Sequence, residues 1–418
     1  MTGKIEVSNL TKVFGRSTRS VDAALALLSD GSSKDEILAR TGSVIAVSDV
    51  SLSVDKGEIF MIMGLSGSGK STLIRCLNRL IEATSGQVLI DGEAVFSKDA
   101  NGLRELRRTR MSMVFQNFAL LPHKTVVENV EFGLKLRGEA KGPRYERAME
   151  TLSLVGLDGW ENHFPDNLSG GMQQRLGLAR ALANDPDILL MDEPFSALDP
   201  LIRSDMQNEL IEIQQRLKKT IVFITHDFQE AIKLGDHIAI MKDGVIVQVG
   251  GPAELVARPA NDYVVSFTSE IDRGRVFTAG EVMRAEGQAV GEDSDCAAAS
   301  SVFNGSGRGC VFVLNGAGQP IGYLREGDVA SADGGGRPVS TAMTTEFPRV
   351  SPHRHLADIY SYCDTDAPLA VVDENDGRFL GYVSPRDILA TLAGSNAQGD
   401  RTEIDDRQAD GSGAGDPA

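Results

Sequence analysis

The sequence has few cysteines, no long apolar run and no excess of positive charge. Its four cysteines among 418 residues show neither metal-site spacing nor a paired pattern, which suits a reducing compartment. No apolar run approaches the length that spans a bilayer, and the N-terminus lacks the apolar core of a signal peptide. A net charge of -17 argues against a nucleic-acid-binding surface, which needs clustered Lys and Arg. We therefore expect a cytoplasmic or peripheral protein with no nucleic-acid partner.

A phosphate-binding motif is the strongest signal in the chain. The buried-strand pattern Ile59 to Met63 precedes it and the helical pattern Thr72 to Leu80 follows it, so the context is strand, loop, helix. The loop residues complete the G-x-x-x-x-G-K-[ST] motif: Gly64, Leu65, Ser66, Gly67, Ser68, Gly69, Lys70 and Ser71. Such a loop surrounds phosphate oxygens with backbone N–H groups, while Lys70 reaches the β- and γ-phosphates and Ser71 holds Mg²⁺.

A second strand ends in two carboxylates. Ile188 to Met191 is an apolar run, and Asp192 and Glu193 follow it directly. Asp192 is suited to hold Mg²⁺ through water, and Glu193 to polarise the water that attacks a γ-phosphate. Such acids are weak evidence alone, but together with a phosphate loop they predict hydrolysis of a nucleoside triphosphate.

Three isolated residues have both a functional and a structural interpretation. Phe14 follows a predicted strand and is either a core residue or a platform that stacks on a purine ring. Gln116 ends the strand Met111 to Phe115, where its carbonyl oxygen either satisfies backbone or completes a Mg²⁺ shell. His226 ends the strand Thr220 to Thr225 and is either structural or a γ-phosphate contact, since ligands of parallel sheets collect at that edge.

A second phosphate-binding helix terminus begins at Ser169. Ser169 is a predicted N-cap, and Gly170 and Gly171 expose N–H groups at the positive end of the helix that follows. One nucleotide does not easily touch two such termini within one fold. A second copy of the chain is therefore expected to supply the second terminus.

These motifs, with Ser196 to Asp199, resemble in their order an ABC transporter ATPase subunit over about residues 4 to 268. The resemblance implies an α/β P-loop NTPase fold with a mixed sheet core, an antiparallel β subdomain and a helical lobe at about 125–165. It also implies a head-to-tail homodimer. The family pattern assigns ATP to Phe14, the loop from Gly64 to Ser71, Thr72 and Gln116. It assigns the partner's ATP to a second set: Ser169, Gly170, Gly171, Gln173 and Asp199.

The subfamily is indicated by a helical insertion at 16–43 and by three segments. Met63 to Lys70, Phe118 to His123 and Ala197 to Arg203 resemble the ATPases of glycine betaine, proline betaine and choline importers. In those systems two transmembrane permease subunits and an extracytoplasmic substrate-binding protein are separate chains. The resemblance therefore implies a subunit attached to the cytoplasmic face of the membrane. It alone suggests the substrate.

The C-terminal half contains an internal repeat. Val313 and Val372 each precede a glycine nine positions later, Gly322 and Gly381, with an aspartate six beyond it. The repeat resembles a tandem pair of CBS motifs over 271–395, with Ser384 and Asp387 as a possible ribose site and 396–418 as a disordered acidic tail. The module is either a sensor of ionic strength or a small ligand, or a dimerisation domain without a sensor role.

Three functions remain open. The leading hypothesis is an importer ATPase for quaternary amine osmolytes, or for another small solute. The second is a slow ATPase switch that acts mainly as a sensor, and the third is an ABC-type ATPase that works on nucleic acid or ribosomes. The acidic charge and the single ATPase unit count against the third.

Overall fold

The computed structural model describes residues 3–116, 119–284, 289–306, 310–330, 337–364 and 367–394. The chain divides into two compact units between Ile271 and Asp272. The predicted tail and Phe118 lie outside the described residues. Among the helices of these ranges, none combines the length and apolarity that crossing a bilayer requires.

The first unit alternates helices and strands. In chain order these are β1 (Ile5–Phe14), α1 (Thr18–Ser29), α2 (Lys34–Thr41), β2 (Val44–Val54), β3 (Ile59–Met63), α3 (Lys70–Leu77), β4 (Ser85–Ile90), β5 (Glu93–Ala94), α4 (Ala100–Thr109), β6 (Met111–Val114), α5 (Val126–Leu136), α6 (Lys141–Leu154), α7 (Gly170–Ala183), β7 (Ile188–Asp192), α8 (Pro200–Leu217), β8 (Thr220–Thr225), α9 (Phe228–Leu234), β9 (His237–Lys242), β10 (Val245–Gly250), α10 (Pro252–Ala257) and α11 (Asp262–Thr268).

The main sheet of this unit has the strand order β10-β9-β3-β8-β7-β6. Its strands are parallel except for β10, which pairs antiparallel with β9 around the Asp243-Gly244 turn. Every residue of β3, β7 and β8 is buried, as expected for parallel strands covered on both faces. The register aligns the carboxyl ends of these strands, because Met63 pairs with Thr225 and Asp192 with Ile224. The residues that follow each strand therefore share one edge of the sheet.

An antiparallel sheet, β2-β1-β4-β5, packs on the same hydrophobic core. The predicted helical insertion forms α1 and α2, and it has a small core of its own with β1 and β2, in which Ala24 and Ile37 are fully buried. Ser33 and Glu36 form the predicted capping box of α2. Gly42 ends the helix with φ +66°. Helices α5 and α6 lie within the predicted helical lobe at about 125–165 and pack against each other and against α7.

The second unit contains two small sheets of identical topology. Its elements are α12 (Arg273–Val276), α13 (Ala279–Val282), β11 (Ala289–Gly291), α14 (Cys296–Ser306), β12 (Cys310–Leu314), β13 (Pro320–Arg325), α15 (Glu326–Ala330), β14 (Arg349–Val350), β15 (Leu369–Val372), β16 (Phe379–Val383) and α16 (Pro385–Leu392). In each sheet a parallel pair, β11 with β12 or β14 with β15, is followed by an antiparallel hairpin. The internal repeat in the sequence is thus a repeat of structure. The predicted α/β fold class is confirmed.

Candidate nucleotide-binding site

The phosphate loop lies between β3 and α3 and depends on glycine at two positions. Gly64 has φ +153°, and a Cβ there would lie 2.2 Å from the Met241 carbonyl oxygen. Gly69 has φ +103°, and a Cβ there would lie 2.2 Å from the Ala46 carbonyl oxygen. The loop is thus pressed against two neighbouring strands, and only glycine fits at these points.

The residues between these glycines face outward. Leu65, Ser66 and Gly67 are exposed, whereas Ser68 is buried and its backbone oxygen accepts a hydrogen bond of 2.9 Å from the Gly244 N–H. The β9–β10 turn therefore supports the loop through a backbone hydrogen bond. The curled backbone presents its outer surface at the positive end of α3, where an anion is favoured.

Lys70 is the first residue of α3, and its side chain folds back over the loop. Its ammonium donates to the Gly64 and Leu65 carbonyl oxygens at 2.8 and 3.1 Å, and the residue is buried. Burial lowers the pKa of Lys70, and the charges of Glu193 and Asp192 oppose that effect. Loop carbonyls are modest partners for an ammonium, so phosphate oxygens would be stronger acceptors at the same place.

Ser71 and Asp192 form the predicted magnesium pair. The Ser71 hydroxyl donates to Asp192 Oδ1 at 2.8 Å, and Arg75, one turn further along α3, holds Oδ2 at 3.0 Å. Asp192 is only 3% exposed, so these two partners satisfy a buried carboxylate. A hydroxyl, one carboxylate and the nearby amide of Gln116 are hard oxygen donors. They suit Mg²⁺ held mainly by phosphates and water.

Glu193 and His226 contact each other at the same edge of the sheet. Glu193 Oε2 lies 3.1 Å from His226 Nδ1, and the two side chains are 19% and 59% exposed. Glu193 has φ +47°, a left-handed backbone that L-residues rarely adopt. Its N–H donates to the Ile224 carbonyl, which fixes the start of the turn. The carboxylate is therefore oriented by both the backbone and the imidazole.

Gln116 follows β6 and reaches the same turn by its amide nitrogen. Its Nε2 donates to the Ser196 hydroxyl at 3.3 Å, and Ser196 donates to the Glu193 carbonyl at 3.0 Å. These two hydrogen bonds connect the end of β6 to Glu193. Thr72 lies partly buried in the first turn of α3, directly after Ser71.

Phe14 ends β1 and is 42% exposed, which sets it apart from the buried core. Lys12 places its ammonium 4.8 Å from the centre of the ring, and Phe14 pairs with Val44 across the sheet. An exposed ring at a strand end offers a face on which a base can stack.

The second helix terminus has the predicted cap. Ser169 accepts a hydrogen bond of 3.4 Å from the Met172 N–H, and Gly170 is exposed at the start of α7. Gly171 packs so closely on α8 that a Cβ would lie 2.6 Å from Ile202 Cγ2. Gln173 donates to the Pro165 and Leu168 carbonyls and so holds the preceding turn. Asp199 is the N-cap of α8 and accepts from the Ile202 N–H at 3.1 Å.

In the second unit, Ser384 and Asp387 form a capping box at the start of α16. Asp387 is 2% exposed, and both its oxygens lie 3.0 Å from Arg284 Nε. The Ser384 hydroxyl donates to Asp387 Oδ2 at 2.6 Å. This carboxylate is thus already engaged by a guanidinium and a hydroxyl.

Three partners of these sites were not predicted from the sequence. Arg75 lies four residues after Ser71, and helical spacing toward an acidic strand end could have indicated it. The contacts of Ser196 with Gln116 and of Arg284 with Asp387 carry no such signal, because these partners are 80 and 103 positions apart in the chain.

Both units of the chain match known protein families. The family model described as ABC transporter matches residues 47–196, and the one described as CBS domain matches residues 339–394. The chain is similar to the glycine betaine transport ATP-binding protein OpuAA of Bacillus subtilis, with 46% identity over 394 residues, 94% of this chain and 93% of that protein.

Two further similarities bear on substrate and assembly. The trimethylamine N-oxide transport system ATP-binding protein TmoW of Pelagibacter ubique is 50% identical over 279 residues, 67% of this chain and 81% of that protein. A solved structure, the dimeric post-hydrolysis state of the ATP-binding cassette MJ0796 bound to ADP and Pi, is 34% identical with a TM-score of 0.50. That match covers 59% of this chain and 98% of the other.

Proposed function

The chain belongs to the ABC transporter ATP-binding subunits of the glycine betaine transport type, and from that membership we propose that it powers import of quaternary amine osmolytes. The observation that carries the proposal is the similarity to a glycine betaine transport subunit along nearly the whole chain, insertion and second unit included. The geometry of the phosphate loop supports ATP as the energy source.

The catalytic steps follow from the side chains at the sheet edge. Lys70 exchanges the Gly64 and Leu65 carbonyls for β- and γ-phosphate oxygens. The Glu193 carboxylate accepts a hydrogen bond from the attacking water. His226 orients that carboxylate and contacts the γ-phosphate. Ser71, Gln116 and Asp192 would hold Mg²⁺, which neutralises charge that develops on the phosphates.

A homodimer would complete the site. Ser169, Gly170 and Gly171 form an exposed, capped helix terminus, which suits the γ-phosphate of ATP bound to the partner copy. Gln173 and Asp199 hold the turns on either side of it. The dimeric cassette among the similar structures supports this arrangement.

A groove on the first unit suits a permease subunit. It has a volume of about 380 Å³ and lies between the helical lobe and the main sheet, next to the segment after Gln116. Its walls are largely apolar: Leu80, Met111, Met113, Phe115, Leu121 and Phe132. We assign it to a cytoplasmic segment of a permease subunit, and one such contact on each copy of the chain would keep it peripheral at the inner face of the membrane. An extracytoplasmic binding protein would deliver the substrate.

Trimethylamine N-oxide is a second candidate substrate. The relative from Pelagibacter carries that name and is 50% identical over 279 residues, against 46% over 394 residues for the relative from Bacillus subtilis. In either assignment the substrate would pass through the permease subunits, so we expect no contact between it and the described residues of this chain.

The second unit is assigned a regulatory role in transport. Arg349, His353, Arg354 and His355 are a basic cluster in an acidic protein, and all four are exposed. Salt would screen attraction of such a cluster to an anionic membrane. A module that only dimerises would show no such salt dependence.

The test is ATP hydrolysis by the chain with its permease in liposomes, supplied with binding protein loaded with glycine betaine, choline or trimethylamine N-oxide at several internal salt concentrations. Stimulation by one loaded binding protein identifies the substrate. A salt threshold that disappears when residues 272–418 are removed assigns the sensor to the second unit. Hydrolysis that ignores all three substrates would contradict the osmolyte assignment and leave the ATPase assignment standing.

A further inference from the structure

Lys34 lies where the helical insertion meets the phosphate loop. It is the first residue of α2, and its ammonium donates to the Ile45 carbonyl oxygen at 2.7 Å. Among the described residues no carboxylate oxygen lies within 4 Å of this ammonium, which therefore has three N–H donors and one bonded acceptor. The side chain is half-buried; burial lowers the pKa of Lys34, and the charge of Asp243 opposes that effect.

The phosphates and the base of a bound nucleotide have separate expected positions on this surface. Its phosphates belong on the loop that ends at Gly69, and its base belongs on the exposed ring of Phe14. Strand β2 joins these points, because Val44 pairs with Phe14 and the Ala46 carbonyl lies against Gly69. The ribose must therefore pass along Val44 to Ala46, and Lys34 is bonded to the residue between them.

A second contact brings Lys34 close to the loop itself. Its Nζ lies 2.6 Å from the position of a Cβ on Gly244, so the ammonium packs directly against this glycine. Gly244 in turn supports the loop through its hydrogen bond to Ser68, and its Cα lies 3.5 Å from the position of a Cβ on Gly69. The Lys34 ammonium thus contacts Gly244, and Gly244 contacts the phosphate loop.

The placement of this lysine has electrostatic costs that the nearby charge of Asp243 offsets only in part. A cation at the first position of a helix opposes the helix dipole, and partial burial removes water from it. The capping box of Ser33 and Glu36 nevertheless fixes the turn that carries it. A bound anion at this point would relieve both costs.

We propose that Lys34 is a further nucleotide-binding residue, supplied by the helical insertion, whose ammonium binds the ribose and α-phosphate oxygens of ATP. The proposal deepens the ATPase function and rests on it. It gives the insertion a role in the site: α1 and α2 form a wall that holds a cation beside the sugar.

The first test measures binding of a nonhydrolysable ATP analogue with Mg²⁺ by the full chain and three variants. Lys34→Met keeps the length of the side chain and removes the charge, Lys34→Arg keeps the charge, and Arg40→Met removes an exposed charge from the same helix. We expect a Kd about tenfold higher for K34M, as for loss of one charge-assisted hydrogen bond, with K34R near the parent and R40M unchanged. Parental affinity in a folded K34M variant would overturn the proposal.

The second test uses the unaltered chain and does not depend on the stability of a variant. An amine-reactive reagent is applied with and without the same analogue, and modification of each lysine is read by mass spectrometry. We expect the analogue to protect Lys70 and Lys34 severalfold and to leave the exposed Lys56 unchanged. Protection of Lys70 alone would overturn the role of Lys34, whereas absence of any binding by the parent chain would contradict the ATPase function itself.

Discussion

Replacing Glu193 by glutamine should stop ATP hydrolysis and leave ATP binding at neutral pH intact. Glutamine has the same length, so it can keep the left-handed turn at this residue and a hydrogen bond to His226, now 3.1 Å from the carboxylate. What it loses is the ability to accept a proton from water. General-base groups contribute about 10²–10⁴-fold to rate, and we expect a fall in kcat of that size.

The same change should alter the pH dependence of binding. The Glu193 charge is the largest influence that raises the pKa of Lys70 against the effect of burial. Without that charge the pKa of Lys70 falls further, so the ammonium loses its proton at a lower pH. Since only the protonated amine binds phosphate strongly, the alkaline loss of affinity should begin at a lower pH in E193Q than in the parent chain.

Phosphate release gives kcat, and titration with ATP between pH 7 and 10 gives the Kd profile. Glu212→Gln, at an exposed position of α8, is the matched control and should leave both unchanged. A variant that keeps more than about a tenth of the parental kcat would refute the role of Glu193. If the affinity for ATP begins to fall at the same alkaline pH in both proteins, the electrostatic link between Glu193 and Lys70 would be refuted.

Three further predictions concern the loop, a buried acid and the second unit. Gly69→Ala should abolish ATP binding in a titration, because its Cβ overlaps a β2 carbonyl. Gly138→Ala, with positive φ and open space outside the loop, should cost only about 1–3 kcal/mol of strain, leave ATP binding intact and serve as control. Burial raises the pKa of Glu230, so its contribution to stability falls as pH rises above the ordinary value of 4.5. The free energy of unfolding in urea should therefore rise for Glu230→Gln relative to the parent chain between pH 5 and pH 8. A difference in stability between the two proteins that does not change with pH would contradict this. Arg284→Met leaves the Asp387 carboxylate buried and unpaired, so unfolding of the second unit should lose about 3–5 kcal/mol, part of which the added Asp387→Asn should restore. Equal stability of R284M and the parent would show that the pair contributes nothing.

Much of the first unit could be predicted from the sequence for a physical reason. Buried parallel strands stand out in the sequence as short apolar runs, and the residues that follow these runs lie together at one edge of the sheet. Lys70, Asp192, Glu193 and His226 each follow or lie next to such a run, so their convergence was predictable. The capping box of the insertion and the Asp243-Gly244 turn were likewise predictable, since both depend on local backbone chemistry alone.

Side-chain partners across the fold were not predictable in this way. Gln116 was expected to offer its carbonyl to Mg²⁺, and the structure shows its amide nitrogen bonded to Ser196, 80 positions away. Nothing in the sequence near Gln116 specifies that partner. The position of Lys34 beside the loop depends in the same way on how β2, α2 and the β9–β10 turn pack together.

Ser384 and Asp387 illustrate why one pattern can have two meanings. Serine followed three residues later by an acid is a capping box at a helix start, and the same spacing suggested a ribose site. In the first unit, the hydrogen bonds of the Lys70 ammonium go to loop carbonyls, which phosphate can replace without leaving a buried charge unpaired. Asp387 is different, because a ribose would have to displace a guanidinium from a carboxylate that is 2% exposed. We therefore expect the second unit to respond through its exposed basic residues rather than through a nucleotide at this helix start.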